Sequence, residues 1–112
     1  MPQPVVIVPY DMNWPWIYEE EKRFVLGGVR QIVRSLEHIG STSVPGLCAK
    51  PIVDILAGVD GPGDAEHCRV LLLPFGYESV SLGDNPDWYY CLGKGSHTPS
   101  FHLHLVREGS QF

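Results

Sequence analysis

Residues 38–54 read HIGSTSVPGLCAKPIVD, and the order of residue types within them decides the architecture. Small and turn-forming residues fill 40–51, which makes this part a loop with room for one helical turn. On its N-terminal side, RQIVRSLEHI (30–39) predicts a strand over about Val33–Ile39. On its C-terminal side, IVDILAGV (52–59) is almost wholly apolar and rich in β-formers, the pattern of a buried central strand. It carries one charge, Asp54. A carboxylate left unpartnered in such a strand is costly, so Asp54 must meet a cation, a metal or the edge of a site. An ion pair with Lys50 or Arg107, or hydrogen bonds from loop amides, would satisfy the same requirement.

The flanking chain supplies the remaining elements. Residues 4–10 (PVVIVPY) predict a short edge strand, and Asn13 is placed to cap a helix from about Trp14 to Leu26. In that helix Trp14, Ile17, Phe24 and Val25 face inward, while Glu19, Glu20, Glu21, Lys22 and Arg23 form the solvated side. Downstream, Asp64 caps a helix through about Leu73, stopped by Pro74 and Gly76. YESVSL (77–82) and WYYCLG (88–93) read as strands of a hairpin or meander joined through GDNPD. FHLHLVR (101–107) alternates with a period of two, placing Phe101, Leu103 and Leu105 on one face and His102, His104 and Val106 on the other.

Candidate chemistry gathers in the loop and the two strands after it. Histidines two apart on one strand face have Cα atoms about 6.5 Å apart, so His102 and His104 can reach one metal ion or one phosphate. Two solvent-facing polar residues would give the same pattern. Gly40-Ser41-Thr42 follows a strand, where amides and hydroxyls can point at phosphate oxygens. A plain tight turn reads identically, and no Walker or GxGxxG pattern is present. His38 at the mouth of the loop is a third histidine candidate, whereas His67 and His97 read as surface residues. Cys48, without a base partner, reads as a small buried residue.

The bulk properties bound the function. A chain of 112 residues is one domain, and its 44% hydrophobic and 19% charged content is that of a globular protein. Three cysteines at wide spacing, Cys48, Cys68 and Cys91, point to reduced thiols and a cytoplasmic setting. The N-terminus lacks a signal-like apolar region, and no apolar run is long enough to span a membrane. A net charge of -5 argues against broad nucleic-acid binding. A bound nucleotide would be small or metal-bridged.

Taken together, EHIGSTSVPGLCAKPIVDI (37–55), VPYDMNWPWIYEEEK (8–22) and HLHLV (102–106) resemble the GrpB family, placed in the nucleotidyltransferase superfamily with DNA polymerase β. The resemblance covers nearly the whole chain. It implies an α+β, nucleotidyltransferase-like (polymerase β-type) fold, a mixed sheet with flanking helices, with Gly-Ser after the first core strand and acids on the next. In working members, paired acids hold divalent metals that activate a hydroxyl and steady a nucleoside triphosphate. This sequence departs from that pattern, because Ile52 and Leu56 stand two residues either side of Asp54. The mixed set implied instead is Asp54, His102 and His104 as metal ligands with His38 beside them, suited to zinc, manganese or iron as well as magnesium. Gly40, Ser41, Thr42 and Lys50 would contact phosphate, and Asp54 and His38 would act in catalysis. The resemblance also implies that relatives continue past Gly109-Ser110-Gln111-Phe112 into a helical region. A single shortened domain over 1–112 would then expose apolar surface and form a homo-oligomer. Three activities are open: metal-dependent nucleotidyl transfer to a small-molecule or protein hydroxyl, non-catalytic nucleotide binding, and metal-dependent hydrolysis.

Overall fold

A computed structural model describes residues 6–80, 88–95 and 100–109. Its elements are α1 (Trp14–Val29), β1 (Ser35–Ile39), β2 (Ile52–Val59), α2 (Pro62–Leu72), β3 (Glu78–Ser79), β4 (Trp88–Lys94) and β5 (Ser100–Arg107). The strands form one sheet in the order β1-β2-β5-β4-β3. β2 and β5 run parallel and every other pair is antiparallel, so the sheet is mixed. The α+β class and the mixed sheet with flanking helices are therefore as the sequence predicts.

Both helices lie on one face of the sheet. Tyr18, Val25 and Val29 of α1 and Ala65, Cys68 and Leu72 of α2 share a core with Val53, Ile55 and Ala57 of β2 and Leu103 and Leu105 of β5. The two strands with the strongest apolar patterns are thus the two central ones. At about 25 cal/mol per Å² of apolar area removed from water, this layer is the main stabilising term of the domain.

Several boundaries differ from the sequence reading, each for a local reason. The helix does not stop at Leu26 but runs on through Gly27-Gly28, because the ring of Phe75 packs against Gly28, where a Cβ would come within 2.9 Å of Phe75 Cε2. Asn13 makes no side-chain cap. Its backbone N–H instead donates to Asp11 Oδ1 at 2.8 Å. Residues 6–10 form no strand, only a two-bond bridge between Val8 and Ala49. α2 begins at Pro62, with Asp64 in its first turn and not at its cap. Among the described residues of the expected 77–82, β3 comprises Glu78 and Ser79. The GDNPD connection and His97 lie outside the described residues. The meander of β3, β4 and β5 is as expected.

One helix face also differs from the sequence reading. Glu21, expected in solvent, is 6% exposed, and Phe24, expected inside, is 47% exposed. Glu21 accepts a hydrogen bond from Tyr77 Oη at 2.7 Å and is paired with Lys94 Nζ at 2.8 Å. The Lys94 ammonium lies 4.3 Å from the Phe24 ring centre and 5.5 Å from that of Tyr77. A charge from the far strand thus draws Glu21 inward, and Phe24 covers the pair from outside.

Candidate functional site

Strand register sorts the predicted residues onto two faces, because cross-strand partners point the same way. Val53, Ile55 and Ala57 face the helices, so Ile52, Asp54 and Leu56 face away. Asp54 is registered with His102 and Leu56 with His104, which brings Asp54, His102 and His104 together as expected. His104 Nε2 is 3.3 Å from Asp54 Oδ1, and His102 Nδ1 is 3.8 Å from the same oxygen. The two rings stand nearly perpendicular, at 86°. Side-chain exposure separates them: 24% for His102 but 7% for His104. Burial lowers the His102 pKa, the Asp54 charge opposes this, and His104 and Lys50 reinforce it. The net effect favours a neutral imidazole, the form that can ligate a metal.

The Gly-Ser loop reaches the same place from the other side of β2. Ile39 pairs with Asp54, so Gly40 lies against the carboxylate. Gly40 has φ 76° and ψ -172°, a backbone state essentially confined to glycine. A Cβ there would lie 2.6 Å from Asp54 Oδ2. The residues Ser41–Ser43 then close a 3-10 turn, in which the Ser43 hydroxyl donates to the Gly40 carbonyl at 2.6 Å.

His38 and Thr42 take a different part from the one predicted. His38 is registered with Ile55 and so lies on the helix-covered face, away from Asp54. Its ring stacks on Tyr18 with centroids 4.8 Å apart and 15° between planes. Burial lowers its pKa, against the pull of the Asp54 charge. The Tyr18 hydroxyl donates to the Leu36 carbonyl at 3.1 Å. Burial, followed by the nearby Glu19 and Glu37 charges, raises its pKa to about 12. Thr42, 1% exposed, donates its hydroxyl to the Ile52 carbonyl at 3.2 Å. A hydroxyl has one proton to give, so the 2.9 Å contact between His38 Nε2 and Thr42 Oγ1 is a bond donated by the histidine, which fixes its Nε2–H tautomer. The pair ties β1, the loop and the start of β2 together, two residues before Asp54. The side chain of Thr42 is inside the protein and does not line the cleft.

The cleft itself, about 360 Å³, is lined by Ile7, Ser41, Cys48, Lys50, Asp54 and His102 among others. It contains the predicted Ser41, Lys50, Asp54 and His102, with Gly40 beneath the carboxylate. It excludes His38 and Thr42. Cys48, read as buried, is exposed and forms part of the wall. Ile7 was not anticipated, and only the apolar run 4–8 hinted at it. A larger cavity of about 800 Å³ lies against Tyr10, Trp14, Val8 and Pro51. It is mostly apolar and lacks the Asp–His chemistry, so the smaller cleft is the better candidate.

Among the described residues, no group of three or more His, Cys, Asp or Glu side chains is arranged to hold a metal ion by itself. Asp54 brings one carboxylate to the cleft, with the His102 imidazole beside it. Magnesium is commonly held by one or two carboxylates together with substrate phosphates and waters, not by a closed protein cage. No helix among the described residues is long and apolar enough to cross a membrane.

Comparison with known proteins places the chain in a family and a fold. The family described as GrpB protein matches residues 4–112. A UPF0157 protein of Halalkalibacterium halodurans is 35% identical over 107 residues, covering 95% of this chain and 53% of its own. A UPF0157 protein of Pseudomonas aeruginosa is 40% identical over 107 residues, covering 91% of this chain and 43% of its own. The crystal structure of the conserved protein GrpB from Enterococcus faecalis superposes with a TM-score of 0.82 at 28% identity, covering 94% of this chain and 63% of that one. The chain spans about half the length, or less, of the curated relatives it matches. With that match across almost all its residues, the chain belongs to the GrpB family.

Proposed function

We propose that the cleft binds a nucleoside triphosphate with a divalent cation, and that the protein transfers a nucleotidyl group to a hydroxyl of a small molecule or protein. The observation that carries this reading is the contact of Gly40 with the Asp54 carboxylate. It places a Gly-Ser turn and a carboxylate at the lip of one cleft, the layout implied by the resemblance to nucleotidyltransferases. In this reading Ser41 and Lys50 contact the phosphates, and Asp54 and His102 supply protein ligands for the cation, magnesium or manganese, with zinc as the alternative an imidazole admits. The bound cation would lower the charge cost of in-line attack at the α-phosphorus. The acceptor oxygen forms the new P–O bond, pyrophosphate leaves, and the acceptor proton passes to solvent or to a nearby base.

A thermal-shift panel of nucleotides with and without divalent cations tests the reading. A ligand at 100 times its Kd stabilises by about 2.7 kcal/mol. Stabilisation by nucleotide that requires the cation, and that Asp54→Asn removes, is the expected result. A flat response across the panel refutes it.

One observation favours a second reading, a nucleotide-binding domain without turnover. Ile52 and Leu56 flank Asp54 on its own face of β2, so the strand offers no second carboxylate. Binding without release of pyrophosphate would select this alternative.

A further inference from the structure

We propose that the two histidines of the HLH segment have separate tasks: His102 faces the ligand, and His104 is a positioning residue that holds the Asp54 carboxylate at Oδ1. The inference rests in part on the reading of the cleft as a cation–nucleotide site, and it changes the expectation that both imidazoles ligate. Three independent observations support the division. First, His102 lines the cleft with Asp54, whereas His104 does not. Second, the His104 side chain is 7% exposed and the carboxylate beside it 26%, so His104 is the more deeply set of the two. Third, the strand pairs His104 with Leu56 and Cys91, and its Nε2 lies 3.3 Å from Asp54 Oδ1, against 3.8 Å for His102 Nδ1.

The chemistry follows from the partners. A carboxylate only accepts hydrogen bonds, so the contact requires the proton on His104 Nε2 and leaves that nitrogen without a lone pair for a metal. A ligating carboxylate is normally held by such an outer partner, and removing the partner costs about 10- to 100-fold in metal affinity. Gly40 closes the other side, since its Cα leaves no room beyond Asp54 Oδ2. The carboxylate is thus fixed between a glycine on one side and a buried N–H on the other. His102, 3.8 Å from the same oxygen and 24% exposed, lines the cleft where a ligand would sit.

Two measurements test the division. Long-range 1H–15N spectra of the metal-free protein should show His104 as the Nε2–H tautomer, with a resonance that moves strongly in Asp54→Ala and little in His102→Gln. An Nδ1–H tautomer, or a His104 signal indifferent to Asp54→Ala, overturns the proposal without reference to any ligand. The second measurement titrates the full chain with manganese and ATP, followed by electron paramagnetic resonance. His104→Gln, which keeps a donor at the same reach, should bind within about threefold of the parent and retain the directly coupled imidazole nitrogen. His104→Leu should weaken binding by about 10-fold or more, and His102→Gln should abolish the nitrogen coupling. Loss of that coupling in His104→Gln and its retention in His102→Gln overturns the proposal. If the parent chain binds neither manganese nor ATP, the reading of the cleft fails, and the metal-free spectra still decide the role of His104.

Discussion

Gly40→Ala tests whether the loop and the acid form one unit. Two costs arise. The backbone state at φ 76° and ψ -172° is open to glycine and costs a side-chain-bearing residue about 1–3 kcal/mol. The added methyl would also sit 2.6 Å from Asp54 Oδ2 and 3.3 Å from its Cβ and Cγ, so swinging the carboxylate aside does not relieve it, and overpacking of this kind adds about 1–3 kcal/mol. Against these, alanine stiffens the unfolded chain, which returns about 0.4–1 kcal/mol. The expected net loss is about 3 kcal/mol, or roughly 12 °C in Tm at about 4 °C per kcal/mol for a domain of this size. Urea unfolding followed by circular dichroism measures it. Gly46→Ala is a positive-φ control, with φ 82° and nothing within 4 Å of the added Cβ, and should lose less than Gly40→Ala. Asp54→Ala combined with Gly40→Ala should recover about 1 kcal/mol of the loss, since neighbouring sites couple. Equal losses at Gly40 and Gly46, or strict additivity with Asp54→Ala, would refute the claim that Gly40 shapes the site.

Further expectations concern the supports around the cleft. Thr42→Val removes the acceptor for His38 and the donor to Ile52 and should cost about 1–3 kcal/mol in urea unfolding, with Thr42→Ser recovering most of it; a neutral valine contradicts the tie. Lys94→Met strands the buried Glu21 carboxylate and should lose about 3 kcal/mol, whereas Glu21→Gln with Lys94→Met should be markedly more stable than Lys94→Met alone; equal stability of the two would show that the pair is not coupled. Burial raises the Cys68 and Cys91 thiols to about 11 from 9.0. The neutral form is favoured in the folded state, so this contribution is complete below pH 9 and is lost as pH rises towards 11; an unfolding midpoint that does not fall between pH 8.5 and 10.5 contradicts it. Cys48 is exposed, while Cys68 and Cys91 are buried, so a thiol-specific aryl disulfide should label one site in the native protein and three in urea, as read by intact mass.

What the sequence made legible was whatever depends on near neighbours. The apolar run of β2, the alternation of β5 and the isolated charge of Asp54 each follow from a few adjacent residues, and all three appear as expected. It was the resemblance to the GrpB family that implied His102 beside Asp54. What failed depended on the far side of a contact. Glu21 looks like any surface glutamate until Lys94 and Tyr77, more than fifty positions away, are known to reach it. His38 sits one residue before a strand end, and only its pairing with Ile55 decides that it faces the helices. A one-residue shift in register would have placed it in the cleft. The division between His102 and His104 is of the same kind, since both obey the alternation and differ only in what lies above them.

The parallel alignment of β2 with β5 also constrains how the protein is made. Asp54 and His104 are 50 positions apart, and α2, β3 and β4 must all be synthesised before the strand that completes the centre of the sheet. Until β5 arrives, β2 has an open edge with unsatisfied amides and carbonyls on a run of apolar side chains, a template for pairing with another chain. Contacts of such long sequence separation slow folding, and the exposed edge persists for that interval. The cleft is accordingly among the last features to assemble during synthesis. A nascent chain arrested before residue 100 should therefore accumulate as aggregate or chaperone-bound material, with Asp54 lacking its neighbours from β5.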